Sequence, residues 1–160
     1  MDALERLTAI DEIKNVKARY FRCMDQRDWD GFEAVFTEDC QFDVSLADVV
    51  PPPGSRENRR NSPDVLSGWA HRGARNIRRF VEELLVGIRT VHHGHMAEIH
   101  IETPTTARAI FAMEDLLDYP DGYPQRHVRG HGHYYETYEK VAGAWKIKTL
   151  LLTRLRVEKI

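Results

Sequence analysis

An aspartate stands where the pattern calls for an apolar side chain. Along 106–119, Ala107, Ala109, Phe111, Met113, Asp115 and Leu117 alternate with a polar row that holds Arg108 and Glu114. Burying Asp115 in that row costs free energy unless its carboxylate is paired or used. Arg154 interrupts the row of Leu150 and Leu152 in the same way. Two readings stand together here: a buried structural ion pair, or charged groups held in a site for proton chemistry. A second signal is the histidine-dense run Thr90-Val91-His92-His93-Gly94-His95. Gly94 predicts a β-bulge that aims one ring at a pocket and the others at water or a neighbouring subunit. His131 and His133, two apart, share one strand face. Imidazole titrates near neutrality, so its common use is acid–base exchange. Zinc takes three or four convergent ligands, and bare His-x-His spacing is weak support for that. Tyr20 and Asp25 lie about one and a half turns apart near a helix end. Asp25 falls past the last apolar position, where it can accept a hydrogen bond from a histidine on a sheet.

These side chains need elements to hold them, and the chain supplies helices first and long strands after. Thr8 with Asp11 resembles a variant capping box. After it Ile10, Ile13, Val16, Tyr20, Phe21 and Met24 recur at helical spacing to about residue 26. Asp28 caps a short second helix whose inward residues are Trp29, Phe32, Val35 and Phe36. Cys40, Phe42 and Val44 alternate with polar residues, as a half-buried strand does. From 46 to 72 the pattern collapses around Pro51-Pro52-Pro53-Gly54 and Asn61-Ser62-Pro63, which predicts a long loop. A third helix is predicted over 73–86, with Ile77, Phe80, Val81, Leu84 and Leu85 on its apolar face. Strands are predicted over 88–102, 106–119, 126–141 and 144–157. Short turns join them into a curved antiparallel meander, with three helices packed into its concave side.

Composition bounds the class. With 160 residues, 42% hydrophobic and 30% charged, the chain has the makings of a single domain with a sizeable core. No apolar run approaches the ~20 residues of a membrane span, and Met-Asp-Ala-Leu-Glu-Arg lacks a signal peptide's basic and apolar regions. A cytoplasmic location and no membrane partner are expected. The net charge of −2, with both signs interspersed, argues against a nucleic-acid partner. Arg56, Arg59, Arg60, Arg72, Arg75, Arg78 and Arg79 form one basic cluster, read as a solvated face. Cys23 and Cys40 read as small buried residues.

The stretch Ile13-Lys14-Asn15-Val16-Lys17-Ala18-Arg19-Tyr20-Phe21-Arg22-Cys23-Met24-Asp25 with Trp29-Asp30, the strand His92-His93-Gly94-His95-Met96-Ala97-Glu98-Ile99, and Met113-Glu114-Asp115 resemble the SnoaL-like branch of the NTF2 superfamily. Within it they resemble the bile acid 7α-dehydratases. Tyr138-Glu139-Lys140, the Gly143-Ala144-Trp145 turn and Arg154 extend the match over nearly the whole chain. Scytalone dehydratases and hexachlorocyclohexane dehydrochlorinases look like more distant relatives. The resemblance implies an α+β cone-shaped fold and a site of Tyr20, Asp25, His92, Asp115 and Arg154 that works without metal or organic cofactor. It also implies a homo-oligomer, a trimer or dimer. Asp25 would fix the His92 tautomer, Tyr20 would donate to a substrate oxygen, and Asp115 would shuttle protons. Met24, His95, Met113, His133 and Tyr135 are the expected substrate contacts. The departures are 49–62, which looks like an insertion near the pocket mouth, and His131-Gly132-His133-Tyr134-Tyr135. The expected activity is a dehydratase-type elimination on a hydrophobic cyclic hydroxy compound. The alternatives are a ketosteroid-isomerase-like or polyketide-cyclase reaction and, in another class, a non-catalytic binding or oxygenase-associated subunit.

Overall fold

A computed structural model describes residues 1–53 and 70–160. Helix α1 runs Ala3–Gln26 and begins earlier than the Thr8/Asp11 pattern suggests. Asp2 and Glu5 form the capping box instead, each side chain accepting from the other's backbone N–H at 2.8 Å. Its first turns are exposed, Leu4 at 74% and Leu7 at 65%. The apolar stripe therefore starts only at Ala9 and continues through Ile13, Val16, Tyr20 and Met24. Arg27 ends the helix in the left-handed conformation, φ 61°. Helix α2, Trp29–Ala34, is capped as expected by Asp28, which accepts from the Gly31 N–H at 3.0 Å. Helix α3 covers Ala74–Leu84 and buries Ile77 and Val81.

Six strands form one sheet: β1 (Phe36–Asp43), β2 (His71–Arg72), β3 (Arg89–Thr103), β4 (Thr106–Asp118), β5 (His127–Val141) and β6 (Ala144–Lys159), in the order β2-β1-β6-β5-β4-β3. The β3–β6 meander is antiparallel as expected. The sheet as a whole is mixed, because β1 pairs with β6 in parallel. That pairing joins residues more than a hundred positions apart, and local alternation carries no information about its direction. Helix α1 lies across the inner face with its stripe in the core, among Phe111, Tyr134, Tyr138, Ile147 and Leu150. Both cysteines are free and buried. Most of the 46–72 loop, with Arg56, Arg59 and Arg60 of the basic cluster, lies outside the described residues. Farther along that cluster, Arg78 bonds to Asp30 at 2.6 Å and Glu33 at 3.2 Å, tying α3 to α2. No described helix is long and apolar enough to cross a membrane.

Candidate active site

The end of α1 faces the start of β3, and the two meet through a dense set of hydrogen bonds. His92 Nδ1 lies 2.6 Å from Asp25 Oδ1. The backbone N–H of His92 donates to Asp25 Oδ2 at 2.8 Å, and Thr90 Oγ1 donates to Oδ1 at 2.8 Å. Burial pushes the Asp25 carboxyl up. The bonds from the His92 ring, its backbone and Thr90 outweigh that, and the result is a value below the ordinary one. Arg27 clamps the same junction. It donates to the carbonyls of Met24 and Ile88 and, at 3.0 Å, to Thr90. With Nδ1 on Asp25, the ring presents Nε2, which makes no other bond among the described residues.

The β3 bulge is present, but one step later than expected. Gly94 still pairs with Met113, and the register slips between Gly94 and Ala97, which absorbs His95 and Met96. Gly94 has another reason to be glycine: a Cβ there would come within 2.5 Å of Phe21 Cε2. That close approach lets the Phe21 ring stack at 15° to the His92 ring, centroids 6.3 Å apart.

His92 is the register partner of Asp115 on β4. Asp115 and Arg154 form the ion pair that their rows leave open as a reading. Nη2 donates to Oδ2 at 2.7 Å, and both side chains are about 95% buried. Arg154 also donates to the Ala47 carbonyl at 2.8 Å and contacts Met113 Sδ at 3.3 Å. The pair crosses β5 over Gly130, where a Cβ would come within 2.5 Å of both Asp115 Oδ1 and Arg154 Nη1. Asp115 Oδ1 has no hydrogen-bond partner among the described residues.

A cavity of about 480 Å³ opens above these groups, within the range of small-molecule sites. Tyr20, His92, Asp115, Tyr134 and Arg154 supply its polar depth. Met24, Phe42, Phe80, Leu84, Leu117 and Leu152 supply apolar wall, and Asp48, Gln125 and Lys159 lie elsewhere in the lining. Asp25 does not line this cavity. It lines a groove of about 770 Å³ between α1 and β3, and His92 borders both spaces.

The expected substrate contacts divide. Met24 lines the cavity. Met113 is buried beneath Arg154 rather than in the lining. His95 falls in the bulge and borders the outer groove. His133 and Tyr135 pair with Ala112 and Ile110, the row opposite to Asp115, and so face the other side of the sheet. For those two the expectation of contact in this cavity is corrected: Tyr134, between them, is the inward residue. Glu114 is not simply solvated either, since His93 Nδ1 and His131 Nε2 approach it at 3.7 and 3.4 Å. Among the described residues no cluster of three or more His, Cys, Asp or Glu could hold a metal ion.

Thr90, Arg27, Tyr134 and the pair Lys17–Glu136 join the site without having been expected there. Lys17 Nζ lies 2.5 Å from Glu136 Oε1, and Tyr138 donates to Oε2 at 2.5 Å. Burial pulls the Lys17 amine down to about 8, against the raising effect of Glu136. Thr90 is readable as the residue two before His92 on the same row. Lys17 is readable as a charge inside the α1 stripe, four residues after Ile13.

Residues 5–150 match the family model of the SnoaL-like domain. A curated relative, "Probable cyclase FGR4" of Gibberella zeae, is 27% identical over 143 residues, 89% of each chain. Among solved structures, the "Putative Scytalone Dehydratase" of Novosphingobium aromaticivorans superposes with a TM-score of 0.77 at 19% identity, covering 99% of this chain and 92% of that one. A hexachlorocyclohexane dehydrochlorinase, LinA type 3, of Novosphingobium barchaimii gives 0.75 at 14% identity, covering 99% and 94%. At such identities the structural likeness speaks for the fold alone. The match over 5–150, on the α+β architecture described above, makes this chain a member of the SnoaL-like family.

Proposed function

We propose that this protein is a dehydratase-type lyase that uses acid–base catalysis, without a cofactor, on a hydrophobic cyclic hydroxy-carbonyl compound. The observation that carries this reading is the Asp25–His92 pair: an imidazole held at Nδ1 by a carboxylate 2.6 Å away, beside a largely apolar cavity. Asp25 fixes the tautomer and stabilises the imidazolium. Nε2 takes the proton from the carbon next to the carbonyl, and the C–H electrons pass to the carbonyl oxygen as an enolate. Tyr20, in the cavity lining, donates a hydrogen bond to that oxygen. The enolate then re-forms its carbonyl, the C–O bond to the neighbouring hydroxyl breaks, and the imidazolium returns its proton so that water leaves. The Asp115–Arg154 pair holds the polar floor against which the substrate's oxygens orient. The names of the LinA and scytalone dehydratase neighbours, both eliminations, favour the same class.

The FGR4 relative favours a second reading, a cyclase using the same proton abstraction. Mass-resolved screening of the purified protein with cyclic hydroxy-ketones separates the two: elimination loses about 18 mass units, and cyclisation by proton transfer loses none. His92→Ala is the control. General acid–base catalysis contributes about 10²–10⁴-fold. A loss of only a few-fold in this variant would remove His92 from the mechanism.

A further inference from the structure

The groove of about 770 Å³ between α1 and β3 lies outside the cavity, and proton transfer at the dyad does not account for its make-up. Its helical wall is Lys14, Ala18 and Arg22, three exposed residues at steps of four. That spacing sets them on one stripe of α1, with the two cations about 12 Å apart. Phe21 and Phe111 supply an apolar floor. The β3 wall carries Ala97 and Met96, and Met96 is 93% exposed at the lip. An unbranched thioether in that position can fold onto whatever occupies the groove. The volume is within the range of small-molecule sites.

The charges of the groove do not balance. Exposed or half-buried cations elsewhere on the sheet have carboxylates, as Lys140 has Glu12 at 3.4 Å and Lys148 has Asp39 at 2.6 Å. Among the described residues Lys14 forms no ion pair, and Arg22 makes one side-chain hydrogen bond, to the neutral Gln26 at 3.4 Å. Lys17 also reaches the lining, but its ammonium is engaged by Glu136 and by the faces of Tyr20 and Tyr134, 3.9 and 3.6 Å away. The one carboxylate in the lining, Asp25, is matched already by the His92 ring and backbone and by Thr90. What remains for an occupant is a pair of cations above an apolar floor.

We propose that the α1–β3 groove is a second ligand site, separate from the cavity, for an anionic amphiphile: a carboxylate-headed apolar molecule whose head meets Lys14 and Arg22 and whose body lies on Phe21, Phe111 and Met96. A peptide added to the β3 edge fits less well, because the bulge at His95–Met96 interrupts the ladder that such a strand would extend. The site stands independently of the acid–base reading of the cavity. The probe is 11-(dansylamino)undecanoate, titrated by fluorescence into the intact protein. Saturable binding is expected, weaker for the neutral alcohol analogue. Lys14→Gln/Arg22→Gln should weaken it about three- to thirtyfold, the combined worth of two exposed ion pairs. Ala18→Trp, which fills the groove from an exposed helical position, should abolish it, and Leu84→Trp, which narrows the cavity instead, should leave it unchanged. Loss in Leu84→Trp with retention in Ala18→Trp would put the probe in the cavity and overturn the proposal. Equal binding of the alcohol would overturn the anionic head, and no saturable binding would overturn the site. An apparent Kd that rises with protein concentration would give the groove to a second copy of this chain and overturn the proposal as well.

Discussion

Removing the charge of Lys17 should destabilise the protein far more than a surface lysine would, and removing its partner as well should restore much of the loss. Lys17 is 1% exposed and Glu136 0%, so neither charge has water to fall back on. Lys17→Met keeps a stem of similar length against Tyr20 and Tyr134, which isolates the effect of the ammonium. It leaves the Glu136 carboxylate buried with Tyr138 as its one remaining side-chain donor among the described residues. Breaking a buried pair in this way costs about 3–5 kcal/mol. Glu136→Gln strands the ammonium against a neutral amide and belongs to the same range. In Lys17→Met/Glu136→Gln the Gln oxygen still accepts from Tyr138, and the residual defect is an unpaired amide N–H, about 1–3 kcal/mol. Two single losses of about 4 kcal/mol with a double loss of about 2 kcal/mol give a coupling of several kcal/mol, above the usual range for neighbouring residues. Urea unfolding of the four proteins at about pH 7, followed by circular dichroism, measures every corner of the cycle. Single losses under about 1 kcal/mol, or a double loss equal to the sum of the singles, would refute the assignment of a buried charged pair beneath the tyrosines.

Asp25→Asn keeps the size of the side chain but takes the charge from the dyad, and should lower turnover about 10²–10⁴-fold with little change in KM; steady-state kinetics on any substrate found by screening reads this out. Gly130→Ala places a methyl within 2.5 Å of both members of the Asp115–Arg154 pair and should abolish turnover of any substrate found by screening while the far-ultraviolet spectrum stays native. Stability should climb from about pH 8 to 9, because Lys17 at about 8 in the fold, against an ordinary 10.5, means that the unfolded chain holds a proton the folded one has released. From about pH 9 the Cys40 thiol, pushed by burial to about 12, opposes this, since it ionises first in the unfolded chain. Above about pH 10 the raised Tyr20, Tyr134 and Tyr138 phenols act in the same destabilising sense; urea midpoints from about pH 7 to 11 trace the curve, and Lys17→Met/Glu136→Gln should lose the initial climb.

What can be read in advance follows from how local the signal is. The inward row of β4 is legible because Asp115 is flanked by apolar residues at steps of two, and Arg154 announces itself in the same way. On β5 alternation does not distinguish the two faces. Both rows carry polar and aromatic residues there: His131, His133 and Tyr135 on one, Tyr134, Glu136 and Tyr138 on the other. The choice is made by pairing, with Gly130 opposite Asp115 and Gly132 opposite Met113, and the long 119–126 connection leaves that register free of any short-turn rule. That Asp25 can accept from a histidine of the sheet is legible in its place past the last apolar position of α1, but that the histidine is His92 is legible only through the family resemblance. Nothing in their spacing brings a helix end to a strand sixty-seven residues away. The parallel β1–β6 pairing is hidden for the same reason. Lys17 is a different case, since the rule that exposes Asp115 applies to it unchanged: a charge within an apolar row, here at helical rather than strand spacing, marks a buried ion that must have a partner.

The two halves of the site are built on supports of unequal firmness, and this bears on how the chemistry can be tuned. Asp115 and Arg154 sit on β4 and β6, either side of β5, where each strand has neighbours on both edges. Their geometry is over-determined by the sheet. His92 stands on β3, the edge strand, and its carboxylate partner stands on a helix. Three devices hold that junction: the Asp25 bonds to the His92 ring and backbone, the Arg27 clamp on Ile88 and Thr90, and the fit of Phe21 against Gly94. A change to any of these can move Nε2 by a fraction of an ångström without breaking a central strand pair. Catalysis by a positioned base depends steeply on such distances, whereas global stability resides in the central strands and the core. For the proposed base His92, substitutions along the α1–β3 seam are therefore expected to change rate with stability nearly constant. Substitutions around Gly130 alter the floor of the cavity and what it can accommodate.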